Sequence, residues 1–302
     1  MNAEPSRDFV GYGPLPPNPF WPEAARLALV FVVNVEEGAE PSIPDGDPAT
    51  DPALTDAVPG EVAAGTRDLV AESLFEYGSR VGFWRLLRAF RERELETTFG
   101  VCAQALERNP EIAGALRDGG DDICAHGRRF ARHWTMDEAT ERAEIAAALE
   151  GIEALLGRAA TGWQSRYSAS VATRRLLAEH EALLYDADAY NDDLPYWTPV
   201  GTRRRLVVPH SFTNNDNRLG SARLATGDDF FDHLRAAFRV LREEGGRMMT
   251  VSLHPRVSGQ PARFDGLRHF LDLVCRTPGV WVASRGAVAR HWRRVHPPRD
   301  PR

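Results

Sequence analysis

Two adjacent carboxylates follow an apolar segment near the start of the chain. Residues 27–33 are all apolar and rich in β-branched side chains, and Glu36 and Glu37 come shortly after them. Such a segment is typical of a strand buried on both faces, and ligands bind at the carboxyl ends of parallel strands. Repulsion between neighbouring carboxylates raises one of their pKa values, which suits a general base. The pair could equally cap a helix or face solvent, so position alone leaves both interpretations open.

Other polar side chains that could do chemistry follow later strand candidates. Histidine supplies an acid or base near neutral pH, and arginine supplies a planar set of donors. In a barrel, separate strand ends converge on one rim even when the residues are far apart in sequence. Each residue alone could be structural, but their recurrence at separate strand ends indicates an active site. The residues are Asn34, His126, Trp163, Arg166, Tyr167, Asp186, Asp188 and His254.

The elements that would position these residues alternate between strands and helices, which predicts a single α/β chain folded as a (β/α) barrel. A doubly wound open sheet is the alternative, although no G-x-G-x-x-G follows the first strand. The predicted strands are residues 26–34, 95–101, 122–125, 162–165, 182–185, 206–209, 248–253 and 280–283. The predicted helices are residues 80–91, 109–120, 136–156, 171–179, 228–244, 264–276 and 286–294. Thr135 is the expected N-cap of the third helix, with Glu138 as capping-box acid, and Thr226 or Asp228 that of the fifth.

Composition divides the chain into three parts. Residues 1–24 are rich in proline, glycine and aromatic residues and should form an irregular N-terminal arm, whereas residues 25–296 should form the barrel. Residues 297–302 are expected to be a disordered tail. Within the barrel, residues 38–66 form a long loop after the first strand, and loops of that length are usually functional or disordered.

Composition also excludes several classes of function. The formal net charge is −6, and basic clusters are confined to residues 203–205 and the C-terminal tail, which argues against nucleic acid as a partner. The chain contains no lysine, which excludes a Walker A lysine and a Schiff-base lysine. No apolar stretch reaches the roughly 20 residues of a membrane span. With no export signal at the N-terminus and three widely spaced cysteines, we expect a cytoplasmic protein without membrane association.

Several motifs resemble those of the polysaccharide deacetylase (NodB-homology) superfamily. They are Glu36-Glu37 after one strand, His126-Gly127 after another, and Ser252-Leu253-His254 at the end of a late strand. Longer segments, spread over about residues 7–293, resemble the branch of the metal-independent allantoinases and cyclic-imide hydrolases. These segments are 7–13 (RDFVGYG), 35–38 (VEEG), 43–47 (IPDGD), 77–84 (YGSRVGFW), 185–197 (YDADAYNDDLPYW), 214–216 (NND) and 225–231 (ATGDDFF).

The resemblance implies a distorted (β/α)7 barrel that hydrolyses a carbon–nitrogen bond in a small amide, imide or ureide. It also implies a homo-oligomer, with a tetramer expected. Glu36 or Glu37 stands where the deacetylases carry their catalytic-base and metal-ligand aspartates, and His254 stands at their general-acid histidine. His126 stands at the first histidine of their metal motif. The choice of base between the two glutamates stays open, with a preference for Glu36.

A catalytic metal is not favoured, and no other cofactor is expected. The deacetylase metal motif places two histidines four residues apart, about 6 Å along one helix face. Here Phe130 is the fourth residue after His126, and the next histidine is His133. Seven residues of straight helix span about 10 Å, so joint ligation would need a bent segment. If a divalent metal such as zinc is bound, its ligands would be Glu37, His126 and His133.

Without a metal, Glu36 or Glu37 would activate water and His254 would act as the acid. Arg166, Asn34 and Tyr167 are expected to hold the ureide or its oxyanion. A salt bridge from Arg166 to one of the glutamates is the alternative for that residue. Further substrate-binding candidates are His126, Trp163, Asp188, Asn191 and Asn215. For each of them alone a structural role is the alternative, and for the two asparagines that role is turn formation.

Positions beside the inferred site depart from the allantoinase pattern, namely Arg128, Gln164, Ser165, Pro255 and Gln260. They bear on the substrate rather than the fold, so we expect a relative that acts on another cyclic imide, ureide or small amide, or one with weakened activity. Two other classes stay open. One is a metal-dependent N-deacetylase of an acetylated amino sugar or small amide, and the other is a non-catalytic protein with a degenerate site.

Overall fold

The computed structural model describes residues 7–60, 62–220 and 224–298, and a curled nine-stranded sheet lies at the centre of this part of the chain. Its strands are β1 (Leu27–Val35), β2 (Thr98–Val101), β3 (Asp122–Ala125), β4 (Gly162–Trp163), β5 (Tyr185–Asp186), β6 (Tyr196–Val200), β7 (Arg203–Val207), β8 (Arg247–Leu253) and β9 (Val280–Val282).

The strand order is β6-β7-β5-β4-β3-β2-β1-β8, and β9 pairs with the first part of β1. The described neighbours are parallel, apart from the antiparallel hairpin β6–β7. After β7 the chain reaches the other edge of β8 through a bridge between Asn215 and Ser252. This curl confirms the predicted barrel-type α/β fold instead of an open doubly wound sheet.

Helices cover the outside of the sheet. They are α1 (Leu69–Tyr77), α2 (Phe83–Arg91), α3 (Ala103–Arg108), α4 (Pro110–Gly119), α5 (Glu138–Leu156), α6 (Thr173–Leu177), α7 (Asn217–Gly220), α8 (Gly227–Glu244), α9 (Pro255–Ser258), α10 (Pro261–Arg276) and α11 (Arg285–Val295). A π-helical turn, Gly78–Gly82, joins α1 to α2. All seven predicted helices are therefore present. The elements that were not predicted are α1, α3, α7, α9 and the hairpin strand β6, because short or proline-containing segments give weak periodic signals.

Two helix caps test the sequence predictions directly. The prediction of Thr135 as the cap of α5 is wrong, since the Asp137 side chain accepts from the Thr140 amide and caps that helix. Thr226 caps α8 as predicted, in a capping box with Asp229.

Alternation along β1 decides which side chains point into the barrel. Every residue of Leu27–Val35 is buried. Its odd-numbered residues pack in the cluster formed with the outer helices, whereas residues 28, 30 and 32 belong to a second cluster inside the curl of the sheet. Because successive side chains of a strand point to opposite faces, Asn34 continues the inward series and Glu36 follows it just beyond the strand.

The N-terminal arm closes the amino-terminal side of the barrel. Residues 7–21 contain no helix or strand, and Trp21 packs against Trp281 and Trp292 with ring centroids 5.6 and 6.0 Å apart. Residues 1–6 of the predicted arm and 299–302 of the predicted tail lie outside the described residues. Within the described ranges, no helix is both long and apolar enough to cross a membrane.

Candidate active site

Glu36 lies at the centre of a cluster of cationic and imidazole side chains at the carboxyl end of the barrel. Its side chain is buried. Glu36 Oε1 lies 3.1 Å from His126 Nε2, 3.0 Å from Arg166 Nε and 3.7 Å from His254 Nε2. Its Oε2 accepts a hydrogen bond from Arg256 Nη2 at 2.8 Å. The ends of β1, β3, β4 and β8 therefore converge on one carboxylate.

The pKa of Glu36 is held well below its ordinary value. Burial alone would raise it, but the charges of Arg166, His254 and Arg256 and the hydrogen bond from His126 outweigh the lost solvation. Glu36 is therefore an anion at neutral pH, and its charge organises the surrounding side chains.

Glu37 is also buried but has different neighbours. Its Oε1 accepts from the Arg256 amide at 3.3 Å and from Arg256 Nη1 at 3.2 Å, and its Oε2 accepts from the Glu36 amide at 3.2 Å. Burial raises the pKa of Glu37, Arg256 opposes the rise, and the Glu36 charge adds to it. The packing is tight enough to require glycine at position 78, where a Cβ would lie 2.7 Å from Glu37 Oε1. The raised pKa thus belongs to Glu37, which accepts from backbone amides, whereas Glu36 lies among the histidines; Arg256 contacts both glutamates.

His254 is oriented by Asp216. Asp216 Oδ1 lies 2.6 Å from His254 Nδ1, and Asp216 Oδ2 accepts from the His254 amide at 2.7 Å. A carboxylate beside Nδ1 places the proton on that nitrogen, so Nε2 faces Glu36 and lies 3.4 Å from Asn34 Nδ2. An aspartate that fixes the tautomer and stabilises the imidazolium is suited to acid–base catalysis.

His126 bridges the cluster to the end of β4. Its Nδ1 lies 2.6 Å from the Gln164 carbonyl oxygen, and its Nε2 faces Glu36. Both neighbours are acceptors, so the ring donates to both only in its doubly protonated form.

Arg166 has a hydrogen-bond donor without a partner among the described residues. Its guanidinium lies over the rings of Phe130 and Tyr167, 4.0 and 4.9 Å from their centroids. Arg166 Nη2 is buried and has no hydrogen-bond partner within the described part of the chain. The residue thus forms the salt bridge to Glu36 that was the alternative, yet it keeps a free donor. The Tyr167 hydroxyl donates to Asp51 Oδ2 at 2.8 Å, which ties the long loop after β1 to this side of the site.

Two further binding candidates, Trp163 and Asp188, are linked through Ser165. Trp163 is fully buried and its Nε1 donates to Ser165 Oγ at 3.1 Å. Asp188 accepts from the Ser165 amide at 2.7 Å and from its hydroxyl at 2.8 Å. Burial raises the pKa of Asp188 to about 7, with a contribution from Asp186. These contacts support the loop that carries Arg166.

Asn191 and Asn215 lie in turn-like segments. Asn191 is exposed and accepts from the Tyr196 hydroxyl at 3.0 Å. Asn215 is buried, bridges to β8, and accepts from the Asn217 amide at 2.9 Å. The structure does not bring either side chain into hydrogen bonding with Glu36 or His254.

The three residues considered as metal ligands are not brought together. Glu37 contacts backbone amides, His126 contacts Glu36, and His133 Nδ1 lies 3.3 Å from Glu141 Oε1. No group of three or more His, Cys, Asp or Glu among the described residues could hold a metal ion, and these three side chains form no such group. A divalent cation at Glu36 would also meet guanidinium nitrogens 2.8 and 3.0 Å from that carboxylate. The residues present therefore do not fit a metal.

Sequence reasoning missed several residues of the site. Asp216 was noted only as part of the 214–216 motif, and Arg256 and His210 were not singled out. His210 follows β7 as His126 follows β3 and His254 follows β8, so its position at a strand end was the available signal. Nothing local distinguishes Asp216, because its partner lies 38 residues away.

Comparisons with known proteins agree with this geometry. A family model described as polysaccharide deacetylase matches residues 64–186. A putative polysaccharide deacetylase of Schizosaccharomyces pombe is 34% identical over 97% of this chain and 98% of that protein. The crystal structure of the PuuE allantoinase is 39% identical with a TM-score of 0.93, over 98% of this chain and 100% of that one. That of a probable polysaccharide deacetylase from Pseudomonas aeruginosa PAO1 is 41% identical with a TM-score of 0.92, over 97% and 99%.

Proposed function

Because the chain belongs to the polysaccharide deacetylase family, we propose that it is a hydrolase that opens a cyclic ureide or imide at a carbon–nitrogen bond. The similarity to an allantoinase over the full length of both chains supports this reaction class. The proposed reaction uses water, a carboxylate and a histidine, and it does not use a metal.

The main observation in support of the proposal is the set of side chains around Glu36. Two guanidinium groups and two imidazoles face one buried carboxylate. A metal-dependent deacetylase needs its ligands free to share a cation, whereas here the equivalent space is filled by protein cations. The same groups are suited to a planar, uncharged substrate that offers both N–H donors and carbonyl acceptors.

The proposed chemistry starts with water held by Glu36. The water oxygen adds to the carbonyl carbon while Glu36 takes a water proton, and a tetrahedral oxyanion forms. Glu36 passes this proton to His254 Nε2, which lies 3.7 Å from Glu36 Oε1. As the carbon–nitrogen bond breaks, the imidazolium gives the proton to the leaving nitrogen. Asp216 stabilises the imidazolium that this step requires.

Arg166 links binding to activation in this scheme. Its free Nη2 is a donor for a substrate oxygen. When Arg166 moves toward the substrate, its ion pair with Glu36 weakens. Because the loss of a nearby positive charge raises the pKa of a carboxyl group, the pKa of Glu36 rises. Glu36 then becomes a stronger base only when substrate is bound.

A panel of ring-opening assays tests the function. Allantoin, hydantoins, dihydropyrimidines and cyclic imides should be compared with an N-acetylated amino sugar, with protein before and after treatment with a chelator. Ring opening that survives the chelator and is abolished by Glu36→Gln and by His254→Ala supports the proposal. Deacetylation that needs added zinc would instead identify a metal-dependent deacetylase. Activity that both variants retain would rule out the assigned roles.

We further propose that the protein is a cytoplasmic homo-oligomer, as the family resemblance implies. Light scattering of the purified protein would test the expected tetramer, and a monomer would contradict it.

A further inference from the structure

Arg285 is a buried cation with an unusual set of partners. It is the first residue of α11, and its side chain is wholly buried inside the curl of the sheet. It forms no ion pair with any described carboxylate. Instead Nη1 donates to Gln164 Oε1 at 2.6 Å, and Nη2 lies 2.7 Å from His210 Nδ1. Burying a charge without a counter-ion costs free energy, so the role of these two hydrogen bonds needs an explanation.

The contact with Arg285 determines which tautomer His210 adopts. A guanidinium has only donors, so His210 Nδ1 must accept and cannot carry a hydrogen. The hydrogen of the neutral ring therefore sits on Nε2. Burial holds the pKa of His210 well below its usual range, and the charges of Arg285, His126 and His254 act in the same direction. The ring thus stays neutral.

His210 also lies at the same end of the barrel as Glu36. It follows β7, its amide donates to the Ala189 carbonyl at 2.8 Å, and the preceding Pro209 carbonyl accepts from Thr250 Oγ1 at 3.3 Å. The segment thus lies between the end of β5 and the middle of β8, and the His210 ring is close enough to His126 and His254 for their charges to act on it. The ring packs against Tyr190, with centroids 5.7 Å apart.

The free ring atom of His210 is Nε2, which points away from Arg285 across the imidazole. Within the described ranges, the His210 ring forms a hydrogen bond through Nδ1 only. A buried histidine with one nitrogen fixed as an acceptor therefore has one N–H donor left for a ligand.

We propose that His210 is a further catalytic residue, whose Nε2–H donates to the substrate carbonyl and to the oxyanion formed from it, and that Arg285 is the positioning residue that fixes this tautomer. The inference rests on the proposed function and deepens it. Glu36 takes a proton from the attacking water, and His210 stabilises the oxygen on which negative charge develops. Donors preorganised for such an oxygen are worth about 10²–10³-fold in kcat.

The tautomer can be measured without a substrate. Long-range ¹⁵N–¹H correlation spectra of ¹⁵N-histidine-labelled protein distinguish a protonated from an unprotonated ring nitrogen. We expect His210 to show hydrogen on Nε2 only, unchanged from pH 5 to 8, with His269 on the exposed face of α10 as the reference. Hydrogen on Nδ1, or a doubly protonated ring at pH 7, would overturn the inference whether or not the protein opens a ring.

Paired variants test the role in turnover. In His210→Asn the side-chain oxygen can still accept from Arg285, but the Nε2–H donor is lost, so kcat should fall by about 10²–10³-fold. In His210→Gln a side-chain N–H can reach nearly the Nε2 position, so kcat should fall about tenfold or less. A His210→Asn enzyme within threefold of wild type would overturn the proposal. A wild-type protein that opens no ring in the panel would instead count against the proposed function.

Arg285 needs a readout that a merely structural residue would not affect. Arg285→Met removes the donor to His210 Nδ1 and one of the charges that add to burial in lowering the pKa of His210. The pKa of His210 should therefore rise, hydrogen should also appear on Nδ1, and the pH profile of kcat should shift. Arg290→Gln, an exposed position on the same helix, is the control and should change neither. An unchanged pH profile and an unchanged tautomer in Arg285→Met would rule out the positioning role.

Discussion

Replacing Glu36 by glutamine keeps the shape of the central side chain and removes its charge. Arg166 and Arg256, whose nitrogens lie 3.0 and 2.8 Å from the carboxylate, then lose their shared counter-ion. At an effective dielectric constant of about 20, two unit charges 3 Å apart attract by roughly 5–6 kcal/mol. Desolvation of the carboxylate offsets part of this attraction. We therefore expect the free energy of unfolding to fall by about 3–5 kcal/mol, as when one partner of a buried ion pair is removed.

The same change should reduce turnover by removing the base. We expect kcat to fall by about 10²–10⁴-fold, measured on the substrate identified in the panel, at a temperature where the variant is folded. Urea unfolding followed by circular dichroism gives the stability change in the same preparation.

Glu37→Gln is the matched comparison. Its carboxylate is disfavoured by burial and by the Glu36 charge, and Arg256 keeps Glu36 as partner in the variant. The hydrogen bonds of Glu37 become weaker when its charge is removed, so the free energy of unfolding should fall by about 1–2 kcal/mol. The decrease in kcat should be smaller than in Glu36→Gln. Glu181→Gln, at an exposed position, controls for the substitution itself and should leave both quantities unchanged.

The pH dependence of stability provides a further check. The folded-state pKa of Glu36 lies well below the ordinary value of 4.5, so the folded state holds fewer protons on this group than the unfolded state does. Its contribution to stability is present above about pH 4.5 and is lost as the pH falls through the folded-state pKa. The acid limb of unfolding should therefore be steeper in the wild type than in Glu36→Gln. Equal acid limbs, or a variant that keeps kcat within tenfold while Glu37→Gln loses it, would refute this reasoning.

Three further predictions follow from individual contacts. Asp216→Asn removes the carboxylate that fixes the His254 tautomer, so kcat should fall by about 10³–10⁴-fold; a change of only a few fold in steady-state assays would contradict that role. Arg166→Lys keeps the charge but loses the planar donor, so KM should rise about tenfold, and an unchanged KM would mean that Nη2 does not bind substrate. Asp188 has a folded-state pKa of about 7, so the folded state binds its proton more tightly and stability declines as pH rises from about 4 to 7. Urea unfolding of Asp188→Asn across that range should show a shallower decline, whereas an identical slope would argue against the raised pKa.

Some of this site could be predicted because it is encoded locally. The apolar strand β1, the glutamates after it, and the histidines after β3 and β8 are all visible as short patterns. The strand–helix alternation predicted the barrel, since a parallel strand must be connected by a crossover that covers the sheet. The hairpin β6–β7 could not be found in this way, because Pro199 and residues 203–205 break the apolar pattern and the pairing is made by tertiary contacts.

The sequence by itself determined that two carboxylates and two histidines stand at strand ends, and the family motifs indicated hydrolysis. Only the tertiary structure decided that Glu36 is central and Glu37 contacts Arg256. The apolar strand β1 is buried on both faces, so its sequence does not alternate between polar and apolar residues. Only the curl of the sheet determines which of its side chains point into the barrel. Likewise Asp216, Arg256 and the Arg285–His210 pair act through partners 38 to 220 residues away. Charges that set a pKa or a tautomer act through space, whereas sequence patterns report only neighbours along the chain.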